Sequence, residues 1–167
     1  SADLRILLQR ALVCGVRAAD FARRPEKPWE GVDYFAGGDW HVDLMTVIGG
    51  RGRGRPSLHE VAAASGIPGK FDTEGGEVAD LWMGGQLASI INYNERDALT
   101  TYLVWLRLAH FGGFFSTAEY LQEQQLVEDL LRVEGKHPGR EHLTGYLEEW
   151  GRVRREVVTA GQIQLNF

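Results

Sequence analysis

The run Tyr93-Asn94-Glu95-Arg96-Asp97 sets a phenol and a carboxylate four residues apart. On a helix that spacing puts both side chains on one face, able to point into one site. A carboxylate is a hard oxygen ligand for a divalent metal, and a phenol one turn away can orient a water that attacks phosphorus. Metal-assisted cleavage of a phosphodiester is the chemistry such a pair would suit. The pairing is also a common one, so an ordinary surface pair is the competing reading.

Other polar residues have plainer explanations. Asp3 opens an apolar helix, and Asp43 in His41-Val42-Asp43-Leu44 stands where a strand gives way to a helix. For both, accepting backbone N–H bonds as a cap comes first. His41 alternates with apolar Val42, which suits a solvent-facing histidine, or one standing behind a ligand, better than a metal ligand. Arginines cluster at Arg51, Arg53 and Arg55 in a glycine-spaced run and again at Arg152, Arg154 and Arg155. Solvated surface is the default for each cluster, and nucleic-acid contact the alternative. The sequence has no HExxH, CxxC, GxSxG or glycine-rich phosphate loop ending in Lys-Ser/Thr, which argues against a zinc protease, a serine hydrolase and a P-loop enzyme.

The elements that must position these groups are mostly helices. Leu4, Leu7, Leu8, Ala11 and Leu12 recur at helical spacing between Asp3 and Val16, with Gly15 near the C-cap. A long surface connection is expected over Ala19–Asp39, which mixes Pro25, Pro28, Gly31, Gly37 and Gly38 with charges. Trp40–Val47 is the one good strand candidate, turning into a helix at Asp43. Ser57 and Glu60 form a capping box for a helix ending at Gly66. A short helix follows over Glu77–Met83, closed by Gly84 and Gly85. The longest periodic stretch, Gln86–Leu108, predicts a central helix with Leu87, Ile90, Ile91, Leu99, Leu103 and Leu106 on its inner side. A second capping box, Ser116 and Glu119, opens a helix to about Val133, and a last helix is expected over Arg140–Val158.

With 167 residues, the chain suits one domain, with or without a small appendage, and can bury a core without staples. Hydrophobic residues at 44% and charged residues at 25% are ordinary for a globular protein, so disorder is not the first expectation. A net charge of −5 excludes holding nucleic acid by bulk positive charge, so any such contact must be local. The lone Cys14 cannot form an internal disulfide, which suits a reducing, cytoplasmic setting. No apolar stretch approaches a membrane span, and no signal-peptide layout is seen at the N-terminus.

The order of segments resembles a known family, the bacterial predicted 3′-5′ exonucleases related to the exonuclease domain of family B DNA polymerases, from about Asp3 to Trp150. Asp3-Leu4-Arg5-Ile6-Leu7, continuing to Gly15-Val16, resembles the family's second motif, in which an aspartate opens a helix. His41-Val42-Asp43-Leu44-Met45 resembles its His-x-Asp-Leu-Met strand end. Ser57-Leu58-His59-Glu60-Val61-Ala62 with Gly66-Ile67-Pro68-Gly69-Lys70 resembles its linker into the third motif. Tyr93-x-x-x-Asp97 followed by Thr100-Thr101-Tyr102-Leu103 and Leu106-Arg107 matches that third motif best.

The resemblance implies an α/β RNase H-like fold of the DEDDy type, here a mostly helical C-terminal portion lacking the first strands of the sheet. The family's first motif, an Asp-x-Glu, has no counterpart in this sequence, so the chain is expected to be part of a longer protein or a relative that has lost catalysis. Residues 1–115 would be the exonuclease portion and 116–167 a helical extension packed on it. The implied cofactor is Mg²⁺ or Mn²⁺ in a two-metal site, with the ions about 3.5–4 Å apart. Asp97 would be a direct ligand of the first metal and Asp3 a ligand reaching the second through water. Tyr93 would align the nucleophilic water, and Asp43 would be structural. The implied substrate is the 3′ end of single-stranded DNA or RNA. A non-catalytic helical module that binds nucleic acid or protein through the arginine clusters is the alternative from another class.

Overall fold

The computed structural model of the chain describes residues 2–24, 26–27, 35, 41–49, 54–69, 71 and 75–159, without the side chains of residues 2, 3 and 75. These belong to two compact units, Ser1–Arg55 and Pro56–Phe167.

In the first unit, α1 (Ala2–Val13) turns Leu4, Leu8 and Ala11 to its half-buried side at helical spacing. Helix α2 (Ala19–Ala22) occupies the start of the stretch expected to be loop. Phe21 there meets Phe35 edge-on at 5.1 Å between ring centroids, and the Arg24 guanidinium lies 3.8 Å over the Phe35 ring. Helix α3 (Leu44–Gly49) starts where Asp43 caps it: the Asp43 carboxylate accepts the Thr46 N–H at 3.1 Å. That bond holds the Asp43 carboxyl below its ordinary pKa.

The second unit opens with α4 (Leu58–Ala64), whose capping box is complete, with Ser57 accepting from the Glu60 N–H and Glu60 accepting from the Ser57 N–H. Gly66 ends it at φ +70°, with Ile67 N–H reaching the Ala62 carbonyl at 2.9 Å, so Ile67 and Pro68 turn inward. A 3₁₀ turn (Gly75–Glu77) and α5 (Val78–Met83) lead into α6 (Leu87–Phe111). Helix α7 (Thr117–Glu134) carries the second capping box, Ser116 with Glu119, and α8 (Glu141–Thr159) runs back along it. The reversal is tight. A Cβ at Gly135 would lie 2.5 Å from the Thr144 hydroxyl oxygen.

Around α6 the core is Ile67, Ile90, Leu103, Val104, Leu106, Ala109, Val127, Leu131, Leu143, Tyr146, Trp150 and Val157. Ile90, Leu103 and Leu106 face inward as expected, whereas Leu87 and Ile91 are exposed and Thr100 is buried instead. Tertiary contacts from α8 select the buried arc, and Tyr146 supplies a partner that lets a hydroxyl go under cover.

The expected α/β architecture does not hold. The described residues form helices and no strand, and an RNase H-like sheet is not present among them. The strand candidate at residues 40–47 fails for a local reason: the Asp43 cap starts a helix immediately, leaving His41 in an isolated bridge and too little extended chain for a ladder. Trp40 lies outside the described residues. Apolar Val42 is exposed.

Candidate active site on helix α6

Tyr93 and Asp97 lie on one face of α6, one turn apart. Tyr93 is half-buried and Asp97 is exposed. One further turn along, Thr100 is buried and donates its only hydroxyl proton to the Pro68 carbonyl at 2.9 Å. The Tyr146 hydroxyl, 2.9 Å from the same oxygen, must therefore donate to it. Burial pushes the Tyr146 phenol well above its ordinary pKa, and the negative charge of Asp97 adds to that rise. The docked turn after Gly66 and the α8 residue Tyr146 together hold this part of α6 in place.

The other carboxylate of the run is committed elsewhere. Glu95 receives the Arg140 guanidinium at 3.0 Å on one oxygen and His142 Nε2 at 2.6 Å on the other. Arg140 also pairs with Glu134 at the end of α7. Partial burial works to raise the Glu95 pKa, but the bonds from His142 and Arg140 outweigh it and hold the carboxyl below its ordinary 4.5. Sequence reasoning missed this cluster. Its members are separated by 45 and 47 residues, and no local period links them. The consequence is that Asp97, and not Glu95, is the exposed acid of the run.

Asp3 lies in the first turn of α1, in the first unit, and its side chain is outside the described residues. Asp43 caps α3, the structural role expected for it. His41 is half-buried, with Nε2 buried and without a hydrogen-bond partner. Arg51 and Arg53 lie outside the described residues, and Arg55 is exposed. In the last cluster, Arg152 pairs with Glu149 at 2.6 Å and with Glu156. Arg154 pairs with Glu128 at 3.0 Å and stacks 4.3 Å from the Trp150 ring centroid. Those two cations are neutralised within the fold. Among the described residues no group of three or more His, Cys, Asp and Glu side chains could hold a metal ion.

The family model for predicted 3′-5′ exonucleases related to the exonuclease domain of PolB matches residues 1–150. The chain belongs to this family. The match covers the α6 run with Tyr93 and Asp97, and α1 with Asp3, and it ends inside α8. No curated protein and no solved structure gives a match to this chain. No helix among its described residues is long and apolar enough to cross a membrane.

Proposed function

We propose that this member of the PolB-related family removes nucleotides from the 3′ end of DNA or RNA, with α6 carrying the reactive face. The observation behind the proposal is that the family match, residues 1–150, includes the stretch of α6 that presents a phenol and an exposed carboxylate one turn apart. In this reading Asp97 would hold Mg²⁺ or Mn²⁺ together with the phosphates of the substrate, and the metal would supply charge neutralisation at phosphorus. Tyr93, half-buried and so restricted in its rotamers, orients the attacking water by a hydrogen bond from its hydroxyl. Glu95, held by Arg140 and His142, keeps the opposite side of the same turn fixed to α8.

The test is degradation of a 5′-labelled single-stranded oligonucleotide by the full-length protein with Mg²⁺ or Mn²⁺. A ladder of products shortened from the 3′ end is expected. Asp97→Ala should abolish it, and Tyr93→Phe should slow it by about 10²-fold, the low end of what a positioned proton-handling group supplies. An Asp97→Ala protein that cleaves at the unaltered rate rejects the assignment. Metal-independent, salt-sensitive binding that survives Asp97→Ala, without cleavage, would favour the binding-module reading instead.

A further inference from the structure

Arg96 stands next to Asp97 in the sequence but is treated differently from four other arginines of its unit. Arg132, Arg140, Arg152 and Arg154 each bond a carboxylate. Arg96 instead lays its guanidinium over the Phe71 ring, 4.5 Å from the centroid, and its Nε is buried with no hydrogen-bond partner. Phe71 in turn packs on Tyr146, with ring centroids 5.6 Å apart, and Tyr146 is the residue that senses the charge of Asp97. Arg96, Phe71, Tyr146 and Thr100 therefore form one continuous cluster, and Asp97 follows Arg96 directly on α6.

A guanidinium is a planar fork of N–H donors with no acceptor, and stacking on an aromatic ring uses its face while leaving the donor edge for an anion. The two terminal nitrogens of that fork are where a bidentate oxyanion gains most. The neighbouring carboxylate gives the cation a further role, because a carboxylate repels a phosphate. A positive group beside it lets anionic substrate and acidic ligand occupy one site. We propose that Arg96 binds the phosphodiester of the terminal nucleotide at the site that Tyr93 and Asp97 line. This inference rests on the exonuclease reading of those two residues and names the substrate contact within it.

The test uses the full-length protein in EDTA and the fluorescence anisotropy of a 5′-labelled single-stranded oligonucleotide, titrated against salt. A second oligonucleotide carries an uncharged methylphosphonate in place of its last phosphodiester. Wild type should bind the second about tenfold more weakly. Arg96→Gln should bind both alike, with the slope of log affinity against log salt reduced by about 0.7, the value for one phosphate contact on a single strand. Arg96→Lys should keep the slope and bind several-fold more weakly, since a point charge cannot grip two oxygens in a fixed fork. It also decides the matter if Arg96→Gln does not fold: a lysine variant indistinguishable from wild type overturns the contact. A glutamine variant with the wild-type slope and preference overturns it too, and 3′ cleavage by the wild type with metal would show that the exonuclease reading survives that result. Displacement by low-millimolar inorganic phosphate at matched ionic strength would overturn it in favour of a free-anion site. A wild type that binds neither oligonucleotide overturns the Arg96 contact, and the 3′ cleavage assay with metal decides the exonuclease reading separately.

Discussion

Thr100 shows how much one side chain can decide. Its hydroxyl gives a proton to Pro68 and takes one from Tyr146, so it ties the α4–α6 turn region, α6 and α8 through a single oxygen. Thr100→Val leaves a buried carbonyl and a buried phenol without partners and should destabilise by about 1–3 kcal/mol per orphaned group. Tyr146→Phe removes one donor and leaves the Thr100–Pro68 bond intact, so it should cost only about 1 kcal/mol. Urea midpoints at constant slope would compare the two, and equal losses would contradict the assigned proton directions. Glu95 gives a pH signature. Its folded pKa lies below the ordinary 4.5, so its bonds to His142 and Arg140 contribute stability that is present above that value and lost as pH falls through the depressed one. Wild type should lose stability steadily on acidification below about pH 4.5, and Glu95→Gln should lose less over the same range. At this scale the sequence showed the Tyr93–Asp97 pair, because four residues make a helical turn. It could not show Arg140 and His142 capturing Glu95, because that choice is made between helices.

For the helices, the local rules worked where the determinants were local. Both Ser-x-x-Glu capping boxes are formed, and the glycines expected to end helices after α1, α4 and α5 do so. Ser57→Ala and Ser116→Ala should each cost about 1 kcal/mol, measurable as separate shifts in thermal midpoint. Two glycines should fail for different reasons. Gly66→Ala meets only ordinary contacts, its Cβ 3.5 Å from the Arg154 Cα, so its loss of about 1–2 kcal/mol comes from the left-handed backbone alone. Gly135→Ala is instead a collision with Thr144 across the α7–α8 reversal, and Thr144→Gly in the same chain should recover part of its loss. The inner face of α6 was only partly legible. Leu87 and Ile91 have the right period and still lie exposed, since the buried arc is settled by the helices that pack on α6 and not by the period alone.

At the scale of the whole chain, nearly every buried apolar residue among those described belongs to the second unit, Leu44 being the exception. Amide exchange should therefore be slowest at Leu103–Leu106, Val127–Leu131 and Tyr146–Trp150, and much faster through α1, where no described side chain is fully buried. Uniform protection across α1 and α6 would contradict this distribution of the core. The sheet expected from family likeness was the part of the fold least written into local pattern. Helical periods and caps dominate the described stretches, and one aspartate converts the sole strand candidate into a helix start. Trp150 has a practical consequence of its own. It is almost wholly enclosed, 2% exposed, with a guanidinium against its ring, whereas Trp82 is open to solvent. Its emission should sit to the blue and resist iodide, so the hairpin that clamps α6 carries a built-in optical gauge of whether that clamp is closed.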